Sequence, residues 1–250
     1  MLAQGTTPAG AETERQASAW VRGMFGRIAP RYDLLNHLLS FNLDKRWRAR
    51  TVTRVSAILD RPDAQVLDLC CGTGDVLLAL EVRRKHVHGR KPVLASDFCH
   101  PMLVEARRKI DAHAFRTPVF EADALSLPLA GASLDLITVA FGFRNLANYR
   151  RGLEEMLRVL KPGGVAAILE FSQPTNSAFR ALYGFFSTRV LPRIGGMVSG
   201  SPEAYSYLPE SIRKFPSAEQ LAQEMRRAGF SRVDFERMTG GAVALHLAYK

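Results

Sequence analysis

The sequence predicts an α/β chain: a seven-stranded, mostly parallel sheet closed at one end by an antiparallel pair of strands, with helical segments added beside it. Three observations predict this. Short β-like runs alternate with helical patterns through the middle of the chain. The final stretch reads as two strands about a turn, "RVDFERM", "TGG" and "AVALHLAYK". Two segments, residues 18–58 and 172–215, carry helical or aromatic patterns that do not belong to the alternation.

Taken in order, residues 1–17 are rich in Gly, Thr, Ala and Glu and are expected to form a flexible tail. Residues 18–58 carry helical periodicity, as in "LLNHLLSF" and "RWRARTVTRVSAIL". Then come a strand at "AQVLDLC", a helix from about Asp75, a strand at "PVLASD" and a helix through "PMLVEARRKI". A third strand at "PVFEAD", a fourth at "LDLITVA" and the helix "GLEEMLRVL" follow. Proline and glycine in "KPGG" stop that helix before the buried strand "VAAILEF". The helix "SAEQLAQEMRRAG" precedes the C-terminal pair. This is a Rossmann-like order, and ligands of such sheets bind beyond the carboxyl ends of the strands. The inserted segments 18–58 and 172–215 are therefore expected to form a lid and a substrate cap on a single domain spanning 18–250.

Composition narrows the function classes. Hydrophobic residues at 47% and charged residues at 23% are those of a folded globular chain. No apolar run reaches the ~18 residues of a membrane span, and the N-terminus lacks a basic-then-apolar signal pattern. The three cysteines, Cys70, Cys71 and Cys99, form no C-x-x-C pair and no second cluster, so a reducing cytoplasm and no metal site are expected. A formal net charge of +10 implies an anionic partner: nucleic acid, an acidic membrane surface or a charged ligand.

The first strand runs into "VLDLCCGTGD", and this loop decides the ligand class. Gly72 and Gly74 allow close backbone approach, but Leu77 stands where a dinucleotide fingerprint has its third glycine, and no G-K-[ST] follows. The ligand is expected to lack a pyrophosphate. Asp97 ends the second strand, 23 residues beyond Gly74, where a carboxylate can accept both hydroxyls of a ribose. Asp123 and Ala124 after the third strand are placed to meet an adenine edge. Glycines, a ribose acid and an adenine contact without a diphosphate describe S-adenosylmethionine (SAM), whose sulfonium charge the acids also suit. Each feature alone is weak, since an acid ending a strand also serves as a helix cap; their order and spacing carry the reading.

With these residues placed, the chain resembles the class I SAM-dependent methyltransferases, and more narrowly the ubiquinone/menaquinone biosynthesis C-methyltransferases. The narrow resemblance rests on "FGRIAPRYDLLNHLLSFNLDKRWR", "LDLCCGTGD", "DFCHPML", "FGFRN", "LRVLKPGG" leading to "LEFSQP", and "TGGAVALHLAYK". It covers about residues 20–250. It implies SAM contacts from Asp68, Gly72, Thr73, Gly74, Asp97, Asp123 and Ala124. Many family members carry a serine where this chain has Ala140, so only backbone can serve there.

The implied reaction is C-methylation of a prenylated quinol, demethylmenaquinol before the benzoquinol precursor of ubiquinone. Ring-carbon nucleophilicity requires a phenolate, so the protein must align the reactants and help a phenol ionise. Arg144 is a poor base but stabilises a phenolate, and Asn145 can hold a ring oxygen. Tyr32 and Asp33 sit in the "RYDLLNH" motif with Asn36 and His37; Asp33 or His37 is a candidate base, against capping and ordinary packing. Phe179, Tyr183, Phe185, Phe186, Val190 and Leu191 offer an apolar stripe for a prenyl tail or a membrane, against simple core. A reversible contact with an anionic membrane and, by likeness, a homodimer are further expectations. Nucleic-acid methylation is disfavoured because "AFGFRN" stands where amino-directed enzymes carry an Asp/Asn-Pro-Pro-aromatic signature, and all three cysteines lie at the first two strand ends. A non-catalytic SAM-binding scaffold would have no need of "FGFRN".

Overall fold

The computed structural model describes residues 5–177, 184 and 202–250. Among them the strands are β1 (Val66–Leu69), β2 (Leu94–Asp97), β3 (Val119–Glu121), β4 (Leu134–Ala140), β5 (Leu160–Phe171), β6 (Arg232–Met238) and β7 (Val243–Tyr249). They form one sheet in the order β3-β2-β1-β4-β5-β7-β6. The first five are parallel; β7 runs antiparallel between β5 and β6. The chain reverses its direction of winding between β1 and β4, and this switch point opens the crevice in which the site lies.

Nearly every residue of β1, β4 and β7 is buried, as expected of strands covered on both faces. On one face Leu67, Leu69, Ile137 and Ile168 pack with α7 (Tyr149–Val159) and α9 (Ala218–Arg227) through Leu153, Met156, Leu221 and Met225. On the other face Val66, Leu136, Ala167 and Leu245 pack with α3 (Leu43–Arg54), α5 (Asp75–Arg84) and α6 (His100–Ala112). Trp47 and Val52 of α3 belong to this core. The segment expected as a lid is thus divided: α3 and the short α4 (Ser56–Leu59) are structural, while α1 (Glu14–Ile28) and α2 (Tyr32–Leu39) lie nearer the sheet edge.

Two details depart from expectation. Strand β5 starts at Leu160, so "KPGG" lies within a bulged strand whose register slips between Leu134 and Leu136 of β4. Residues 5–16 are anchored, whereas the sequence predicts a loose tail. Thr13 and Gln16 form a reciprocal capping box that starts α1, and Ala17, Val21, Met24 and Ile28 make its buried stripe. Upstream, the Thr6 N–H donates to Leu146 O at 2.8 Å. Gly5 packs so closely that a Cβ there would lie 1.9 Å from Ala147 O, so only glycine fits. Small and polar composition hid this anchoring because its partners lie far along the chain. The expected cap, 172–215, is seen as residues 172–177 and α8 (Pro202–Lys214). The Phe179, Tyr183, Phe185, Phe186, Val190 and Leu191 stripe lies outside the described residues. No described helix is long and apolar enough to cross a membrane.

Candidate active site

The crevice at the carboxyl ends of β1, β2 and β4 holds a cavity of about 650 Å³, counted to its open mouth. The end of β1 turns sharply: Cys70 (φ 54°), Gly72 (φ 54°) and Gly74 (φ 87°) are all left-handed. Phe141, at the end of β4, is left-handed as well. The two strand ends meet closely, since a Cβ on Gly142 would lie 2.5 Å from the Cys70 Cβ. Strained non-glycine backbone on both sides of one crevice is a feature of ligand sites held by a rigid sheet. Gly74 caps α5, and a Cβ there would press on Ala106 of α6 at 3.3 Å. Its role is helix packing, and it does not line the cavity.

Asp97 ends β2 on the cavity wall. One of its oxygens accepts Gly72 N–H at 2.9 Å and the other Cys99 N–H at 2.9 Å. The acid therefore both ties the glycine loop and closes an Asx turn onto Cys99, the residue that precedes α6. A carboxylate has about four acceptor positions, so lone pairs remain for two ribose hydroxyls. Burial, against these backbone hydrogen bonds, pushes its pKa up to about 6. Asp123 and Ala124 line the same end, with Asp123 Oδ1 accepting Leu125 N–H at 2.9 Å. Gly72, Ala122 and Ala140 complete it. The acid, the loop backbone and the small residues fit a nucleoside with a cationic tail.

Asp68 lies beneath this end. It is buried in β1, accepts Thr138 Oγ1–H at 2.6 Å, and burial raises its pKa to about 7; Oδ2 has no partner among the described residues. Burial likewise holds the Cys70 and Cys71 thiols well above the usual range, which keeps both protonated.

Tyr32, Phe141, Gly142 and Asn145 line the same cavity, with the Tyr32 ring 3.8 Å from where a Cβ on Gly72 would lie. The turn Phe143–Asn145 is pinned by Phe143, fully buried between Tyr149 and Phe215, and by Tyr149 Oη donating to Arg144 O at 2.9 Å. Arg144 is buried behind the wall. Its Nη1 donates to Glu170 Oε1 at 2.9 Å and to Phe141 O, and its N–H to Glu170 Oε2 at 3.1 Å. The guanidinium also sits 5.1 Å above the Phe171 ring. Burial opposes its charge, but Glu170 outweighs this and the pKa is raised. Nε has no partner among the described residues. Burial raises the Tyr32 phenol too, so it stays protonated and can donate.

Asp33, His37 and Thr73 belong to a different network. Thr73 Oγ1 donates to Asp33, whose other oxygen pairs with Lys109 at 2.6 Å. Lys109 continues to Asp75, Arg48 bridges Asp75 and Asp44, and His37 Nδ1 meets Asp44 at 2.8 Å. His37, Asp44 and Asp75 converge as metal ligands do, but Arg48 already bridges the two acids and Lys109 pairs with Asp75. This network ties α2 and α3 to α5 and α6, and none of its members lines the cavity. Of the residues singled out in the sequence, the structure brings Tyr32, Gly72, Asp97, Asp123, Ala124, Ala140 and Asn145 together at the cavity. Arg144 and Asp68 stand directly behind it, and Asp33, Thr73 and Gly74 lie to the side. Sequence reasoning missed Glu170, Tyr207 and Thr6; "LEFSQP" pointed at the first, whereas the others had no local signal.

This sheet and crevice define the class I methyltransferase fold. Solved structures agree: a SAM-dependent methyltransferase described as a possible histamine N-methyltransferase from Thermotoga maritima superposes with a TM-score of 0.64 at 19% identity, covering 91% of this chain and 99% of that one. The [4+2]-cyclase SpnF gives 0.68 at 17% identity, covering 99% and 98%. A cyclase on the same frame shows that fold alone does not fix the reaction. Residues 11–250 match the ubiE/COQ5 methyltransferase family, and the chain belongs to that family. It is 47% identical to a demethylmenaquinone methyltransferase of Thermus thermophilus, over 90% of this chain and 98% of the relative. It is 42% identical to the demethylmenaquinone methyltransferase of Deinococcus radiodurans over the whole of both chains. A ubiquinone/menaquinone biosynthesis C-methyltransferase of Syntrophotalea carbinolica is also 42% identical, over 90% and 92%.

Proposed function

We propose that this chain methylates a ring carbon of a prenylated quinol with SAM, demethylmenaquinol being the preferred acceptor and the benzoquinol precursor of ubiquinone the second. One observation carries the reading: a single cavity lined both by strand-end acids and loop backbone that suit a nucleoside and by an amide and a phenol, with the Arg144–Glu170 ion pair behind its wall. SAM, when bound, supplies an electrophilic methyl group on a sulfonium. Asp97 accepts the ribose hydroxyls, Asp123 and the Ala124 backbone meet the adenine, Gly72 and Ala140 contribute backbone, and Thr73 ties the loop to Asp33. Gly74 and Asp68 hold the loop from beside and below.

At the acceptor end the chain has to make a phenol acidic. An N–H from Asn145 stabilises negative charge on the ring oxygen, and Arg144, its charge shared with Glu170, holds the Phe141 carbonyl and the turn that carries Asn145. Tyr32 is a second donor. Asp33 supports α2, and the ring proton leaves to solvent. Residues 18–250 form one catalytic domain on this reading. The net charge of +10 and the insolubility of a prenylated acceptor support a cytoplasmic protein that visits an anionic membrane face; a homodimer follows family likeness.

The test is transfer of labelled methyl from SAM to short-tailed demethylnaphthoquinol and benzoquinol, each also supplied oxidised. Label on the reduced naphthoquinol is expected. SAM binding without label on either quinol would overturn the reading and favour a scaffold. Sedimentation with anionic vesicles at low salt, lost at high salt, is expected of the membrane contact.

A further inference from the structure

Asn145 is held by a hydrogen-bond chain that reaches back to the N-terminal strap. Tyr207, buried on α8, donates to Asn145 Oδ1 at 2.9 Å. Thr6 Oγ1 lies 2.7 Å from the same Tyr207 hydroxyl. The geometry alone leaves the second donor open, but chemistry settles it. Asn145 Oδ1 can only accept, so the single Tyr207 proton is committed to it, and Thr6 must donate to Tyr207.

The far side of the amide fixes its orientation. Asn145 Nδ2 lies 3.3 Å from Phe141 O, which can only accept. Exchanging oxygen and nitrogen would set two acceptors against each other, so the assignment is not free. One Nδ2 hydrogen goes to Phe141 O. The second has no partner among the described residues, and Asn145 is one of the residues that line the cavity.

We propose that Thr6 and Tyr207 are positioning residues: they lock Asn145 so that it presents an N–H donor, never a carbonyl, to the acceptor oxygen. The inference rests on the proposed quinol chemistry and deepens it. A locked donor favours the phenolate over the phenol, because an anionic oxygen takes a stronger hydrogen bond than a neutral one. The strap and α8 thereby act on the ionisation of the acceptor, although neither Thr6 nor Tyr207 lines the cavity wall. Tyr207 is well suited as the middle link, because burial raises its pKa and its proton is retained at working pH. Its ring is fixed against Trp20 of α1 at a centroid distance of 5.1 Å.

The experiment uses the full chain saturated with S-adenosylhomocysteine and the probe 4-methoxy-1-naphthol, whose naphtholate absorbs at longer wavelength than the naphthol. Titrated while bound, the probe is expected to ionise at a pH at least one unit below its value in water. Tyr207→Phe and Thr6→Val should each move that value back upward, Thr6→Ser should restore it, and Tyr207→Phe should change nothing further in an Asn145→Ala background. In turnover, kcat of Tyr207→Phe should fall about tenfold with KM for SAM unchanged, the loss expected when one hydrogen bond to a developing charge is weakened. Unchanged probe ionisation in both Tyr207→Phe and Thr6→Val, or a probe that fails to bind or ionises as in water with the wild-type chain, would overturn the inference. Failure of the wild-type chain to methylate any quinol while the probe shift persists would instead remove the quinol reading and leave the locked donor in place.

Discussion

Two polar networks connect the N-terminal helices and strap to the sheet, and they differ in where they end. The first runs through His37, Asp44, Arg48, Asp75, Lys109, Asp33 and Thr73 and ends against the outside of the glycine loop. Its members are mostly half-buried and share charge among several partners. The second, Thr6–Tyr207–Asn145 with Arg144–Glu170 beside it, is buried and ends on the cavity wall. Motif membership does not separate a tether from a site, because "RYDLLNH" contributes Asp33 to the first network and Tyr32 to the cavity. Where each network ends does separate them, since Asn145 lines the cavity and no member of the first network does.

The largest effect is expected where the second network carries its charge. Arg144→Ala strands Glu170 as a buried, unpaired carboxylate, which costs about 3–5 kcal/mol, and methyl transfer should fall by about 10³ or more. Chemical denaturation and initial rates report the two losses; a stable, active Arg144→Ala would break the contrast. Asp97→Ala comes next, with SAM affinity expected to fall about a hundredfold as charge-assisted hydrogen bonds are lost, read by calorimetry.

A smaller effect comes from pH. The folded pKa of Asp97 is raised to about 6 from 3.8, so the fold takes up a proton as pH falls through 6. Unliganded stability should therefore rise between pH 6 and 4 and fall as pH rises through 6, with Asp68 adding the same trend nearer 7. SAM, which needs the ionised acid, should lose affinity over that window by up to about tenfold per unit. Asp75 and Asp135 have lowered values: burial opposes this, but Arg48 and Lys109 around Asp75, and Lys161, Gln65 N–H and Arg61 around Asp135, outweigh it. Their loss of stability begins only below about pH 4. Opposite slopes for stability and affinity between pH 6 and 4 test the assignment.

The smallest effect belongs to the first network. Asp33→Asn should cost about 1 kcal/mol of stability or less and leave kcat nearly unchanged. A hundredfold drop in kcat with an intact melting temperature would move Asp33 from tether to chemistry.

The donor end of the cavity was legible in the sequence because its parts are local. Gly72, Asp97 and Asp123 each follow their own strand, and α/β alternation places those strand ends side by side. The sheet was legible for the same reason, down to the span of β6. The acceptor end depends on contacts that no window contains. Thr6 and Tyr207 are 201 residues apart, and Tyr207 and Asn145 are 62 apart. Asp33 shows the converse: it pairs with Thr73 and Lys109 off the cavity wall, because a motif marks residues that matter together without saying which of them faces the ligand. The strap escaped notice because "GTTPAG" carries no apolar period, its order coming from Gly5 seated on Ala147 and from two Thr6 hydrogen bonds.

The seat of Gly5 on Ala147 and the Thr6–Tyr207 contact also make the centre uneven in the chain entropy it costs to assemble. Gly72, Asp97 and Asp123 are gathered by neighbouring strands of one sheet, whereas Thr6 meets Tyr207 across 201 residues. Closing so long a loop costs more than closing a short one, and contacts of high sequence separation form slowly. In refolding, the wall that carries Asn145 is therefore expected to settle after the wall that carries Asp97.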